Sequence, residues 1–322
     1  MKRKIAKTVV FCGLVWIILV FLVTNYEDGK VTNIFIWSTN EITNNEVMRD
    51  CILTQDIERA QVIVTNLKDL NSFINSAKNI KDKEKFLYSD FPPNKSLDRE
   101  LIDNHFDWLI SYVKESDIVI KQFKRTFFIH SNEADERAFD SEFASRTRLI
   151  FWMKEDCHQS LTTERIENYI ELLSRFIPVD ILSKCDNSLF PDAEKLYKYQ
   201  FIPSNSNCRG YANPTVIKAL SNGLIPVVYG VEQSKSNILP ENSTLFIPQS
   251  TSPAFLGRHL KTLVADKNSY FRLKNWIFSG GLVENKRIEL GELCQFIRGQ
   301  RRFRKRRISK WWNVDTQCSI NQ

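Results

Sequence analysis

Residues 216–230 read VIKALSNGLIPVVYG. Val216 to Leu220 closes a helix, and Gly223 suits the left-handed position that caps a helix C-terminus. Leu224 to Tyr229 follows at once as an apolar run too short for a helix, which makes it a buried strand, and Gly230 ends it. A helix leading straight into a buried strand is the working unit of an α/β domain with a mainly parallel sheet.

The same alternation extends outward. Toward the C-terminus, Leu245 to Ile247 predicts a strand and Phe255 to Val264 a helix. Toward the N-terminus, Lys198 to Ile202 and Arg148 to Met153 read as strands, and Ile177 to Ile181 is short and apolar. Between them Thr162 to Phe176 is the clearest helix. Ile166, Tyr169, Ile170 and Leu173 fall at helical spacing, and Thr162 or Thr163 can cap its start. Val31 to Trp37, Gln61 to Thr65, Lys85 to Ser89 and Asp117 to Ile120 predict short strands of an earlier α/β domain, with a boundary near residue 145. Doubly wound domains bind ligands beyond the carboxyl ends of their strands, where helix N-termini receive anions. Two of them facing each other leave a cleft.

Length and composition fit this plan. The 322 residues are 43% hydrophobic and 12% aromatic, enough for two domain cores. Ten Gly and ten Pro are too few for a collagenous or largely disordered chain. Four His make a His-based metal site improbable. The net charge of +7 is confined to the ends: Lys2, Arg3, Lys4 and Lys7 at one, and the acid-free run from Arg298 to Lys310 at the other. The body between them is net negative, which argues against a basic nucleic-acid groove. That basic run reads as a solvated tail, with attraction to anionic glycans or membranes, or a processing site, as alternatives. G-x-G-x-x-G, G-x-x-x-x-G-K, G-x-S-x-G and C-x-x-C are all missing, so nicotinamide, P-loop, hydrolase and zinc-ribbon chemistries are disfavoured.

Residues 8–23, TVVFCGLVWIILVFLV, form an apolar run that Ile5 and Ala6 extend to about 19 positions, long enough to span a bilayer as a helix. A basic tail before it and Glu27 and Asp28 after it predict a cytosolic N-terminus. No small-x-small cleavage site follows Val23, so an uncleaved anchor is favoured over a signal peptide. The expected plan is a tail at 1–7, a signal-anchor at 8–24, an N-terminal α/β domain at 25–145, a C-terminal α/β domain at 146–285 and a basic extension at 286–322. Outside the apolar run, Cys51, Cys157, Cys185, Cys208, Cys294 and Cys318 permit up to three disulfides in an oxidising lumen, with Cys294–Cys318 one candidate. Asn94 and Asn242 head N-glycosylation triplets.

Specific segments resemble the metazoan α-1,3-fucosyltransferases. Phe106-Asp-Trp-Leu-Ile-Ser-Tyr112 with Ser116-Asp117-Ile118 is similar to F-N-W-T-x-S-Y-R with D-S-D-I. Residues 87–94, LYSDFPPN, resemble L-E-S-P-x-N. Arg165 to Leu172, with Pro178-Val179-Asp180 and Lys184-Cys185, resembles R-x-x-Y-x-x-x-L and x-V-D-x-x-G-K-C. Asn205-Ser206-x-Cys208 and Ala219-Leu220-x-x-Gly223-x-x-Pro226-Val-Val-x-Gly230 resemble the donor-domain signature, and Ser252-Pro253 and Tyr270 continue the match. The resemblance covers roughly residues 31 to 280 and is most specific in the second half.

This likeness implies a Golgi type II membrane protein with two Rossmann-like domains of the GT-B shape facing across a cleft, the acceptor side in 25–145 and the nucleotide-sugar site in 146–285. It implies transfer of fucose, with inversion, from GDP-fucose to N-acetylglucosamine of glycans, without a bound metal or other cofactor. The implied partners are a sugar nucleotide, glycan acceptors, the Golgi membrane and other transferases in an oligomer, with no nucleic acid. Such chemistry needs a carboxylate to deprotonate the acceptor hydroxyl and donors to stabilise the departing diphosphate. Asp90, in the place of the family's ESP glutamate, is the candidate base. Arg165 is the candidate diphosphate ligand, and Asn205, Ser206 and Tyr211 are candidates for the nucleotide edge. Lys198 and Lys218 read as solvated.

The departures carry equal information. Ser204 replaces a family Glu. Residues 210–215, GYANPT, replace D-Y-V-T-E-K without its acid or its lysine, and Val113 replaces an Arg. Each lost polar contact is worth about 1–3 kcal/mol. Two readings follow: an active fucosyltransferase in which other cations, such as Arg209 or Lys218, reach the diphosphate, or an inactive paralogue that binds a glycan or a partner transferase.

Overall fold

The computed structural model describes residues 31–37, 51–76, 80, 82–93, 97–127, 132–154, 160–183, 193–204, 206–231, 238–277, 280–284, 290–299, 307–313 and 318–320. In chain order they form β1 (Thr32–Trp37), β2 (Cys51–Thr54), β3 (Val62–Asn66), α1 (Leu70–Ser76), β4 (Glu84–Ser89), α2 (Arg99–His105), β5 (Trp108–Ser111), β6 (Ile118–Val119), β7 (Phe123–Phe127), α3 (Asn132–Ser145) and β8 (Arg148–Lys154). There follow α4 (Leu161–Ser174), β9 (Val179–Ser183), β10 (Tyr197–Pro203), β11 (Ser206–Cys208), α5 (Pro214–Ser221), β12 (Ile225–Tyr229), β13 (Leu245–Ile247), α6 (Pro253–Ala265), α7 (Lys267–Lys274), β14 (Gly280–Glu284), α8 (Leu290–Gly299) and β15 (Cys318–Ile320). The chain divides into two units: Met1–Leu87 with Ile288–Arg304, and Tyr88–Arg287 with Lys305–Gln322.

No helix among the described residues is long and apolar enough to cross a membrane. The signal-anchor helix expected at residues 8–24, with the Golgi-membrane, single-pass type II placement built on it, therefore has no counterpart among the described residues. Residues 8–24 themselves lie outside the described residues.

In the first unit the strands run in the order β2-β1-β3-β4. β1 pairs parallel with both neighbours, Thr32 opposite Cys51 and Ile34 opposite Val62. Every residue of β3 is buried, the signature of a strand covered on both faces. Trp37 meets Phe73 of α1 edge-on at 5.4 Å. Cys51 is bonded to Cys294 of α8, joining positions 243 residues apart.

The second unit holds a five-stranded parallel sheet in the order β13-β12-β10-β8-β9. Alternate residues of each strand face opposite ways. Ile150, Tyr199, Phe201, Ile225 and Val227 pack on one face with Ile170 and Leu173 of α4 and Leu256 and Leu260 of α6. Phe151, Ile202 and Val228 pack on the other with Val216, Ala219 and Leu220 of α5. Helices on both faces explain why β12 reads as an unbroken apolar run. Gly223 caps α5 at φ +69°, as its sequence position predicts.

The C-terminal residues belong to these units as well. Ile308 and Trp312 are buried, and Ser309 donates to Asp103 of α2 from its backbone N–H (2.9 Å) and its hydroxyl (2.5 Å). β15 pairs antiparallel with β11, and Cys318 is bonded to Cys208. The expected Cys294–Cys318 bridge is therefore replaced: each cysteine pairs elsewhere. Cys157, Cys185 and the basic residues 301–306 lie outside the described residues.

Lys198 is a further correction. It is buried, not solvated, and its ammonium donates to the carbonyls of Phe143 (2.7 Å) and Arg146. Beside it the Glu142 carboxylate accepts from Arg146 Nε at 2.5 Å and from the buried Lys274 ammonium. The rest of the Arg146 guanidinium donates to the carbonyls of Tyr197 and Asn222, each at 2.7 Å. Three cations thus surround one carboxylate, and removing it strands two of them. Glu142→Ala is expected to destabilise the fold by roughly 3–5 kcal/mol in urea unfolding; a loss under about 1 kcal/mol, the size of an exposed ion pair, would contradict this.

Burial pushes the Lys274 ammonium down to about 8, with Glu142 opposing the shift. The unfolded chain releases this proton at about pH 10.4. Between those values the unfolded state holds more protons, so this group makes stability rise with pH. Lys274→Met is expected to lack that part of the rise between about pH 8 and pH 10, read as urea midpoints across the range.

Candidate functional site: the crevice between β8 and β10

The winding of the five-stranded sheet reverses at β8. One connection carries the chain to β9 on one side, and the next carries it across to β10 on the other. At such a switch point the helices after the two central strands lie on opposite faces, and a crevice opens beyond the strands' carboxyl ends. A cavity of about 240 Å3 lies there. Trp152, Met153 and Lys154 line it from the end of β8, and Phe201, Ile202 and Pro203 from the end of β10. Thr162, Thr163 and Ile166 enter from α4, and Asn213 and Thr215 from the start of α5.

Both helices present their N-termini to this space, but with their first donors largely engaged. The Ser160 hydroxyl accepts from the Thr163 N–H at 3.1 Å. At α5 the Asn213 side chain accepts from the Thr215 N–H at 2.9 Å, and the Asn213 carbonyl accepts from Val216 and Ile217. Pro214 has no N–H to offer. The helix N-terminus that would ordinarily receive an anion has spent its first donors on its own cap.

Arg165 is exposed in the second turn of α4 and makes no hydrogen bond or ion pair among the described residues. Its charge reaches Tyr229 at the end of β12, opposing the upward shift that burial imposes on that phenol. Asn205 lies outside the described residues. Ser206 opens β11, opposite Ile320. Tyr211 belongs to a separate group: its ring packs on Tyr112 with centroids 5.1 Å apart. Burial and the Asp90 charge together raise the Tyr211 phenol well above its ordinary value, which puts Asp90 beside this pair. Asp90 is half-buried in the turn after β4.

Of the cations proposed to replace the lost lysine, neither reaches the cavity. Arg209 pairs with Glu115, whose carboxyl it holds below the usual range. Lys218 pairs with Glu194 at 3.1 Å. Sequence reading missed Lys154 altogether. Its signal was positional: a charged residue ending the strand RLIFWMK, directly before the segment leading to a helix. Asn242 sits exposed in a turn at φ +57°, a conformation Asn tolerates; Asn94 lies outside the described residues.

With this geometry in place, the comparisons are direct. The model of the glycosyltransferase family 10 (fucosyltransferase) C-terminal region matches residues 143–311, more than half of the chain and all of the crevice. The chain belongs to glycosyltransferase family 10. Among curated proteins, it is similar to the 4-galactosyl-N-acetylglucosaminide 3-alpha-L-fucosyltransferase 9 of Bos taurus, 21% identical over 277 residues that cover 80% of this chain and 74% of that one. It is also similar to the alpha-(1,3)-fucosyltransferase fut-6 of Caenorhabditis elegans, 22% identical over 255 residues that cover 72% and 63%. Among solved structures, a crystal structure of an alpha1,3-fucosyltransferase superposes with a TM-score of 0.50 at 12% identity, covering 85% of this chain and 90% of that one.

Two of the glycines in this family 10 chain test how its strand ends are built. Gly230 has φ +98°, and a Cβ there would fall 2.2 Å from the Ser204 carbonyl oxygen. Gly210 has φ +71°, but its nearest neighbour to such a Cβ is 3.8 Å away. Gly210→Ala is expected to cost about 1–2 kcal/mol for the left-handed backbone alone. Gly230→Ala is expected to cost clearly more, because backbone must move; equal thermal midpoints for the two variants would contradict the close approach.

Proposed function

We propose that the protein transfers fucose, with inversion, from GDP-fucose to N-acetylglucosamine of a glycan. The observation that carries this reading is the crevice at the β8–β10 switch point, which lies inside the region matched by the fucosyltransferase family. The relatives' names supply the sugar and the acceptor class. Here the diphosphate seats at the mouth of the crevice, with Arg165 as a cation at the sheet's carboxyl edge. The acceptor hydroxyl gives its proton to the Asp90 carboxylate as its oxygen bonds to the fucose anomeric carbon. The bond from that carbon to the phosphate oxygen breaks, and GDP leaves with the electron pair. Tyr211, backed by the buried Tyr112, lies beside Asp90, and a sugar ring packs well against such a part-exposed aromatic face.

A second reading keeps the fold and drops the chemistry: a paralogue that binds a glycan or a partner transferase. Its support is specific. The α5 cap has spent its donors, and Arg209 and Lys218 are held by Glu115 and Glu194.

Calorimetric titration of the full chain separates the two. The transferase reading expects GDP and GDP-fucose to bind near micromolar, about 8 kcal/mol, with UDP much weaker. Asp90→Asn is expected to keep that binding and lose about 100-fold or more in turnover. No heat from GDP at millimolar concentration in a folded sample would sink the transferase reading and leave the second.

A further inference from the structure

We propose that Lys154 takes the diphosphate charge together with Arg165, and that Glu167 holds the Lys154 ammonium at the crevice until a ligand displaces the carboxylate. This rests on the nucleotide reading of the crevice given above. Lys154 is the last residue of β8 and lines the cavity. Its Nζ lies 2.5 Å from Oε1 of Glu167. Glu167 follows Thr163 by four residues on α4, and residues so spaced share a helix face. Thr163 lines the same cavity, so the ion pair sits along its wall.

Apart from Arg165, the other cations named above are committed elsewhere. Arg209 belongs to Glu115 and Lys218 to Glu194. Lys198 donates to the Phe143 and Arg146 carbonyls. Arg148 starts β8 at its opposite end and pairs with Asp180 at 3.0 Å. Lys154 is the one cation among the described residues that line the cavity.

The pair is built to be exchanged. Its partners are 23% and 35% exposed, so the pair is half-buried and still open to the cavity that Lys154 lines. A diphosphate brings more negative charge and several acceptor oxygens, so it makes the stronger charge-assisted bonds. Glu167 then opposes the ligand through like-charge repulsion, and its removal strengthens binding.

The test titrates GDP and guanosine into the full-length protein and three variants. Lys154→Gln is expected to weaken GDP by about tenfold or more, the scale of one lost charge-assisted contact, while guanosine changes by less than about twofold. Lys154→Arg keeps most of the GDP affinity, and Glu167→Gln raises it. GDP affinity unchanged in folded Lys154→Gln, with wild type binding normally, overturns this assignment and leaves the nucleotide reading standing. Loss of GDP binding in Glu167→Gln to the same extent as in Lys154→Gln also overturns it, because the pair is then scaffolding. Wild type binding neither GDP nor guanosine overturns the nucleotide reading together with this inference.

Discussion

A parallel sheet that reverses its winding at one strand cannot close over that strand's carboxyl end. β8 is that strand here, because its neighbours β9 and β10 are reached in opposite directions. The consequence is mechanical. α4 packs on one face with Ile170 and Leu173, α5 packs on the other with Val216 and Leu220, and their N-termini diverge. The cavity of about 240 Å3 is what this divergence leaves. Everything argued about ligand binding depends on that single topological fact, and the residues that fill both faces of the sheet maintain it.

Around the sheet, polar and covalent ties fix segments that hydrophobic packing alone does not hold. Glu142 gathers Arg146 and Lys274 beneath the sheet, and Arg146 in turn satisfies the carbonyls at Tyr197 and Asn222. At Gly223 a Cβ would fall 2.8 Å from the Arg146 guanidinium, so a side chain there would displace this network, and the φ of +69° itself favours glycine. The Cys208–Cys318 bond returns the C-terminus to the segment carrying Arg209 and Tyr211. Of these ties only the disulfide persists in the unfolded chain, where it links residues 110 apart and so lowers that state's conformational entropy.

These long-range ties are also what the sequence concealed. Local pattern was readable: LIPVVYG became β12 ending at a glycine, and the helix expected at Thr162–Phe176 is α4, with Tyr169, Ile170 and Leu173 inward. The disulfide pairing was not readable, because nothing local distinguishes a partner 110 residues away from one 24 residues away. Lys198 looked solvated because a lysine's surroundings depend on carbonyls supplied by Phe143 and Arg146, far away in sequence. α3 carries many charges, and among its described side chains Phe139 and Phe143 are the ones in the core, so its apolar stripe was too thin to read. Of the site, the family signature marked Arg165 and Gly230. Lys154 escaped because its role depends on which strand becomes the switch point, and strand order is a property of the whole sheet.

Hydrogen–deuterium exchange of the full chain with and without GDP tests the location of the site most directly. The account predicts that GDP protects residues 152–154, 161–166, 200–203 and 213–215. Protection confined to any other surface, with the crevice segments unaffected, would contradict it.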